Sequence, residues 1–170
     1  ALFKLYGADY VIFDGSRNGT NSRDLTINNT NTGTSATVMW LGSASASNGA
    51  TNNTIKNCVI SGSQSNPSIS CIIAGSGTTL GNIGLAANSN NTITNNVLRA
   101  AQNGIFTNGI ASGNDQGWLI TDNTIGSVAV PNDKMGFRGI LLQGAQNFTI
   151  SGNTIQGAIC PSTITSTATG

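Results

Sequence analysis

Aliphatic residues recur along this chain within a short phrase, Thr-Ile-x-x-Asn-x-Ile, which appears five times with variation. Its central isoleucine falls at Ile27, Ile55, Ile93, Ile120 and Ile150. The alternation of β-branched residues predicts a short strand with the isoleucine facing inward, followed by a turn, an inward polar residue and another inward aliphatic residue. A phrase that returns every 27 to 38 residues indicates a solenoid, a propeller or another repeat array.

A second apolar segment follows each copy of the phrase. Its inward residues are predicted to be Met39, Ile72, Ile105, Ile140 and Ile159. Each unit therefore contains two or three short strands joined by turns of Asn, Gly and Ser, and the spacing of apolar residues that is typical of a helix is missing.

Short strands in a regular repeat predict an all-β fold, a parallel β-helix of about five to six coils with insertions near residues 76–90 and 126–136. The alternative is an antiparallel sandwich, because Asn18-Gly19 and Asn48-Gly49 are typical hairpin turns. A sandwich does not require the same phrase at every other strand, so the repetition favours the β-helix.

The position three residues after the central isoleucine predicts a ladder of side-chain amides inside the stack. Asn96, Asn123 and Asn153 occupy it, whereas Cys58 interrupts it. Stacked coils place equivalent residues directly above one another, so each amide can donate to the next coil.

Composition restricts the classes of partner. Only 8% of residues are charged and the net charge is +1, so the chain offers no field for nucleic acid. It also lacks an apolar run of about 20 residues, so we expect no membrane insertion. The three cysteines, Cys58, Cys71 and Cys160, have no metal-ligand spacing, and histidine is absent. We expect buried cysteines and no cofactor or metal; the alternative is Ca²⁺ held by clustered aspartates.

Two parts of the sequence resemble a known family. The segments YVIFDGS at residues 10–16 and DLTI at residues 24–27 resemble the opening coils of right-handed parallel β-helix proteins of the pectate-lyase-like superfamily. The whole chain, including residues 53–62 and 136–142, is similar to repeat regions of large secreted surface proteins of Bacteroidota, which are cargo of type IX secretion. The resemblance implies a right-handed β-helix, with residues 1–170 forming one segment of a longer solenoid, and an extracellular or cell-surface location.

The superfamily includes polysaccharide lyases and glycoside hydrolases, which need clustered carboxylates. The six acidic residues are all aspartates: Asp9, Asp14, Asp24, Asp115, Asp122 and Asp133. Asp122 has no acidic partner in its aligned column, and Asp14 precedes a glycine, which is typical of a turn. A hydrolase would need two carboxylates facing one cleft, so the pattern favours a non-catalytic chain.

The outward neighbours of the second apolar segment predict a surface stripe. They are Trp40, Ile73, Phe106, Leu141 and Cys160. An exposed apolar stripe indicates a contact surface, and the alternative is that the insertions at 76–90 and 126–136 cover it. Trp118, just before the fourth phrase, could stack on a sugar or cap a strand.

These observations predict a structural and adhesive rod. Its expected partners are glycans or other copies or segments of the same surface assembly. The alternative is a polysaccharide-binding or polysaccharide-degrading β-helix whose active coils lie partly outside this segment.

Overall fold

The computed structural model describes residues 1–33, 35–63, 68–110 and 115–158. In these ranges the regular structure consists of short strands and one 3₁₀ turn at Pro131–Asp133. The chain repeatedly forms one strand in each of three sheets, and each such circuit is a pass.

The strands fall into five passes. The first contains β1 (Phe3–Tyr6), β2 (Ile12–Asp14) and β3 (Leu25–Asn28). The second contains β4 (Thr37–Ser43), β5 (Thr54–Lys56) and β6 (Cys58–Ser61), and the third contains β7 (Ser68–Ser76), β8 (Thr92–Thr94) and β9 (Val97–Arg99). The fourth contains β10 (Ala101–Asn108), β11 (Asp115–Gln116), β12 (Leu119–Thr121) and β13 (Thr124–Ile125). The fifth contains β14 (Arg138–Gln143), β15 (Ala145–Gln146), β16 (Thr149–Ser151) and β17 (Thr154–Ile155).

Each pass adds one strand to each of three five-stranded sheets. The first sheet has the order β1-β4-β7-β10-β14, the second β2-β5-β8-β12-β16, and the third β3-β6-β9-β13-β17. Every pairing between these strands is parallel, and β11 pairs with β15 in the same sense. The all-β prediction is confirmed, and the stacked parallel sheets are consistent with a β-solenoid. The antiparallel sandwich is excluded for the described strands.

The register places apolar residues above one another in the interior. The second sheet contributes the column Phe13, Ile55, Ile93, Ile120 and Ile150. The third contributes Ile27, Ile60, Leu98, Ile125 and Ile155. Members in the middle passes are fully buried, and each such side chain stabilises the fold by roughly 1.5–3 kcal/mol. In the last pass Ile150 and Ile155 are 44% and 42% exposed, because no described strand lies beyond β16 and β17.

The predicted alignment of the first phrase is wrong. Ile27 pairs with Ile60 in the third sheet, and Phe13 occupies the position equivalent to Ile55. The connection at residues 15–24 separates β2 from β3, so the phrase in the first pass is split. Thr30, which follows Ile27 by three residues, is therefore not equivalent to Cys58; the strand register pairs Cys58 with Leu25.

The corners between sheets explain the abundance of Asn and Gly. Before the second sheet, Tyr10, Asn52, Asn90, Gly117 and Asn147 all have φ between 53° and 67°. After it, Asn57, Asn95, Asp122 and Gly152 have φ between 51° and 65°. Gly and Asn tolerate this left-handed conformation better than most other residues, so they fill seven of these nine positions, and Tyr10 and Asp122 fill the other two.

The two predicted insertions lie between strands. Residues 76–90 connect β7 to β8, and residues 126–136 connect β13 to β14. The first returns to the strand ends, where the Gly84 N–H donates to the Asn108 carbonyl and Asn108 Nδ2 donates to the Gly81 carbonyl. The second reaches the third sheet, where Arg99 Nη1 lies 3.0 Å from Asp133 Oδ2.

Candidate functional surface

The outer stripe is defined as Trp40, Ile73, Phe106 and Leu141. Strand register places these four residues side by side across β4, β7, β10 and β14, so they share one face of the first sheet. Cys160, its fifth predicted member, and Ile159 lie outside the described residues. The sheet therefore aligns the described members as the alternation of the sequence predicts.

Burial along the outer stripe is uneven. Ile73 is 0% exposed, although it does not belong to the interior apolar cluster, so it is covered on the outer side of the sheet. Trp40, Phe106 and Leu141 are half-buried. The sequence could not predict this difference, because it depends on what packs over each strand. Ile73 itself offers no exposed contact.

Trp40 is held in place by its neighbours. Its indole Nε1 donates to the Ser76 carbonyl at 2.9 Å, at the start of the inserted segment 76–90. The Lys4 ammonium lies 4.3 Å from the centre of the Trp40 ring and 4.5 Å from that of Tyr6. Lys4 is the partner of Trp40 in the register, so it extends the outer stripe with a cation.

Trp118 does not belong to an exposed surface. It is 1% exposed, and its indole Nε1 donates to the Asn88 carbonyl at 2.7 Å. Because it is buried, Trp118 is not placed to stack on a sugar. It packs in the interior and hydrogen-bonds the backbone between the first and second sheets.

The asparagine ladder forms between the second and third sheets. The Asn96 backbone N–H and side-chain Nδ2 both donate to Asn123 Oδ1, at 3.0 and 3.1 Å. Asn123 makes the same pair of bonds to Asn153 Oδ1, at 3.0 and 2.9 Å. Cys58 is the preceding member, and its backbone N–H donates to Asn96 Oδ1. The buried amides thus satisfy backbone groups that water cannot reach.

A second set of ladder residues was missed by the sequence pattern. At the corner between the first and second sheets, the Asn53 N–H donates to Asn91 Oδ1 and Asn91 Nδ2 donates to the Ala50 carbonyl. Beside them, the Ala50 N–H donates to Asn88 Oδ1 and the Asn88 N–H donates to Asp115 Oδ1. In the third pass, Asn88 and Asn91 stand three residues apart, and this spacing in the sequence could have identified them.

The described cysteines are unsuited to nucleophilic chemistry. Cys58 and Cys71 are free and buried. Burial raises the pKa of the Cys58 thiol to about 11 and that of Cys71 to about 12. Both therefore remain protonated at neutral pH, and the thiolate is the reactive form.

The aspartates serve mainly in local structure. Asp14 accepts from the Ser16 N–H as an Asx turn and lies 3.2 Å from Lys56 Nζ; its pKa is lowered, first by the hydrogen bond from Asn57. Asp9 accepts from Thr51, and Asp24 from Ser22, which lowers the pKa of Asp24. Within the described ranges, no group of three His, Cys, Asp or Glu side chains could hold a metal ion.

A polar cleft of about 410 Å³ lies beside the third sheet. Its lining includes the register column Asn28, Ser61 and Arg99, together with Thr26 and Thr30. The Arg99–Asp133 pair neutralises much of the charge at one end. Hydroxyl, amide and guanidinium groups together can hydrogen-bond a hydrophilic ligand.

Comparison of the chain with protein-family models, curated proteins and solved structures finds no match. The resemblance to the pectate-lyase-like superfamily and to Bacteroidota surface proteins therefore stays a prediction. Among the described residues, no helix has the length and apolar character needed to cross a membrane.

Proposed function

We propose that this chain is a segment of an extracellular structural and adhesive rod, built as a right-handed parallel β-helix on a bacterial surface. The support is architectural: each pass adds one strand to every sheet, and the interior columns continue through the passes. A stack of this kind gains its stability from contacts between neighbouring repeats and extends along one axis. Such a rod suits a spacer that holds a contact surface away from the cell.

The outer stripe carries the adhesive part of this proposal. Trp40 and Phe106 lie on one face, Trp40 is fixed by Ser76, and Lys4 adds a cation beside it. Half-buried aromatic residues with a neighbouring cation are suited to contact with a glycan or with another copy of the surface assembly.

The dispersed carboxylates support a non-catalytic role. Asp9, Asp14 and Asp24 accept hydrogen bonds from nearby turns, and Asp133 pairs with Arg99. A glycoside hydrolase needs an acid and a second carboxylate on either side of one bond. These four aspartates are instead committed to separate local contacts.

A glycan array combined with sedimentation velocity tests the adhesive role. Replacing Phe106 and Leu141 by serine should weaken glycan binding or self-association at least about tenfold. Each replacement removes apolar surface that the bound partner would bury. The matched control replaces Val59 and Val97 by serine, because both are half-buried residues of the third sheet. Equal losses in both double variants, or no binding by the wild-type chain, would contradict the adhesive role.

The polar cleft favours a second candidate, a polysaccharide-binding β-helix whose active coils extend beyond this segment. Asn28 and Thr26 are exposed, and Arg99 lies at the end of the same cleft. Calorimetric titration with neutral and acidic oligosaccharides should detect binding that the Asn28→Ala, Thr26→Ala double variant loses. Binding that depends on Phe106 and not on Asn28 would exclude the cleft as the site.

A further inference from the structure

Asp115 occupies an interior position that an asparagine fills in the pass before it. It is fully buried, and its Oδ1 accepts from the Asn88 backbone N–H at 2.9 Å. Asn88 relates to Ala50 in the same way, because its own Oδ1 accepts from the Ala50 N–H at 2.9 Å. The two side chains are therefore consecutive members of one column.

The second polar atom distinguishes the two residues. Asn88 Nδ2 donates to the Gly75 carbonyl at 3.1 Å, whereas Asp115 Oδ2 is buried without a hydrogen-bond partner in the described part of the chain. An ionised carboxylate oxygen in this place would be buried without a donor, which is costly. Protonation removes the charge, and a neutral carboxylic acid is much less costly to bury than an unpaired carboxylate.

Among the described residues, the surroundings of Asp115 supply no compensating charge. Its strand partner is Ala145, and Gly109 and Gly144 approach it from the neighbouring connections. Asn88 donates to Asp115 and Trp118 donates to Asn88, and none of these five residues is titratable. Burial raises the pKa of Asp115 to about 7, opposed only by the hydrogen bond from Asn88.

We propose that Asp115 is held as a neutral carboxylic acid inside the stack, and that its ionisation is a pH-sensitive switch that loosens the corner around Trp118. The coupling runs through Asn88, whose N–H binds Asp115 and whose carbonyl accepts from Trp118 Nε1. The ionised carboxylate is more stable where water can hydrate Oδ2. Water can reach Oδ2 only if the packing of Asn88 and Trp118 around Asp115 opens.

The direction of the pH effect follows from proton linkage. An aspartate in the unfolded chain titrates near pH 4, below the folded pKa of about 7. Between these values the folded chain keeps a proton that the unfolded chain releases, so its stability falls as pH rises. The stabilising contribution is complete below about pH 4 and is lost through pH 7. The lowered pKa values of Asp14 and Asp24 affect stability only at more acidic pH.

Urea unfolding across pH 5 to 8 tests the switch with Asp115→Asn and a matched control, Asp122→Asn. Asp122 is exposed and shares its left-handed corner with Asn57 and Asn95, so asparagine fits there. The unfolding equilibrium constant of the wild-type chain and of the control should rise about a hundredfold over this pH range. In Asp115→Asn it should stay level, because the amide carries no proton to release. An equal pH dependence in all three proteins would overturn the proposal.

A carboxyl NMR titration of the wild-type chain provides a readout that needs no folded variant at position 115. We expect the Asp115 carboxyl to titrate at about pH 7, and Trp118 fluorescence in a Trp40→Phe background to shift with the same midpoint. A midpoint below pH 5, or a midpoint at pH 7 without any response of Trp118, would overturn the proposed switch.

Discussion

The two corners that flank the second sheet perform the same task with different residues. The second corner, which contains Cys58, Asn96, Asn123 and Asn153, repeats one amide position, and each Asn binds the neighbouring passes in the same way. The first corner uses two adjacent columns, and their members change from pass to pass. Both corners satisfy buried backbone groups, so the requirement for hydrogen bonds is stricter than the requirement for asparagine.

Trp118 shows how far the residue type can vary. It stands in the column of Asn53 and Asn91, directly before the strand of the second sheet. Asn91 Nδ2 donates to the Asn88 carbonyl at 3.1 Å, and Trp118 Nε1 donates to the same oxygen at 2.7 Å. An indole therefore supplies the donor in the fourth pass and fills the interior as well.

The largest expected effect comes from breaking the second corner at its centre. Asn123→Ala removes the acceptor of the Asn96 N–H and the donor to the Ile93 carbonyl, and all these atoms are buried. Leaving two backbone groups without partners should lower the free energy of unfolding by about 4 kcal/mol. Urea denaturation measures this value. A loss below about 1 kcal/mol would show that the ladder contributes little to stability.

A smaller effect is expected at the first corner from Trp118→Phe. The ring stays, but the donor to the Asn88 carbonyl is lost, while Asn91 Nδ2 still binds that oxygen. We expect a loss of about 1.5 kcal/mol, since one acceptor site is left unused. Trp40→Phe is the control, because it removes a hydrogen bond from a half-buried position. Thermal unfolding compares the two; a larger loss in the control would contradict the assignment of Trp118.

The smallest expected effect is a gain in stability. Cys58 occupies the ladder position of the second pass, but its thiol cannot donate as an amide does. Cys58→Asn places a side-chain amide where Asn96 Oδ1 can accept from it, as Asn123 Oδ1 does from Asn96. The free energy of unfolding should increase by about 0.5 kcal/mol. Chemical denaturation of Cys58→Asn and of Cys58→Ser measures this change. A lower free energy of unfolding in Cys58→Asn than in the wild-type chain would show that the column does not accommodate an amide at this position.

The sequence predicted the second corner because one phrase repeats there with constant spacing. Asn96, Asn123 and Asn153 each follow an interior Ile by three residues, and equivalent positions lie above one another in a parallel stack. The first pass was misaligned because Phe13 replaces the expected Ile and the connection at residues 15–24 interrupts the phrase. Local insertions change the spacing without changing the register of the strands.

The first corner and the outer stripe required the structure. Asn88 and Asp115 share a column, yet no repeated residue type marks it. The stripe was predicted from alternation, and its members do align, but the burial of Ile73 depends on contacts distant in sequence. The same limit applies to Trp118, whose sequence position did not distinguish a surface aromatic from an interior one.

Native-state hydrogen exchange at the backbone amides of Asn53, Asn96 and Asn123 tests most directly whether side chains bind one pass to the next. Each of these N–H groups donates to the side-chain oxygen of an asparagine in the following pass. We predict that all three exchange only when the whole chain unfolds, with the same dependence on urea as global stability. Exchange at the rate of the exposed Gly19 amide would contradict the account.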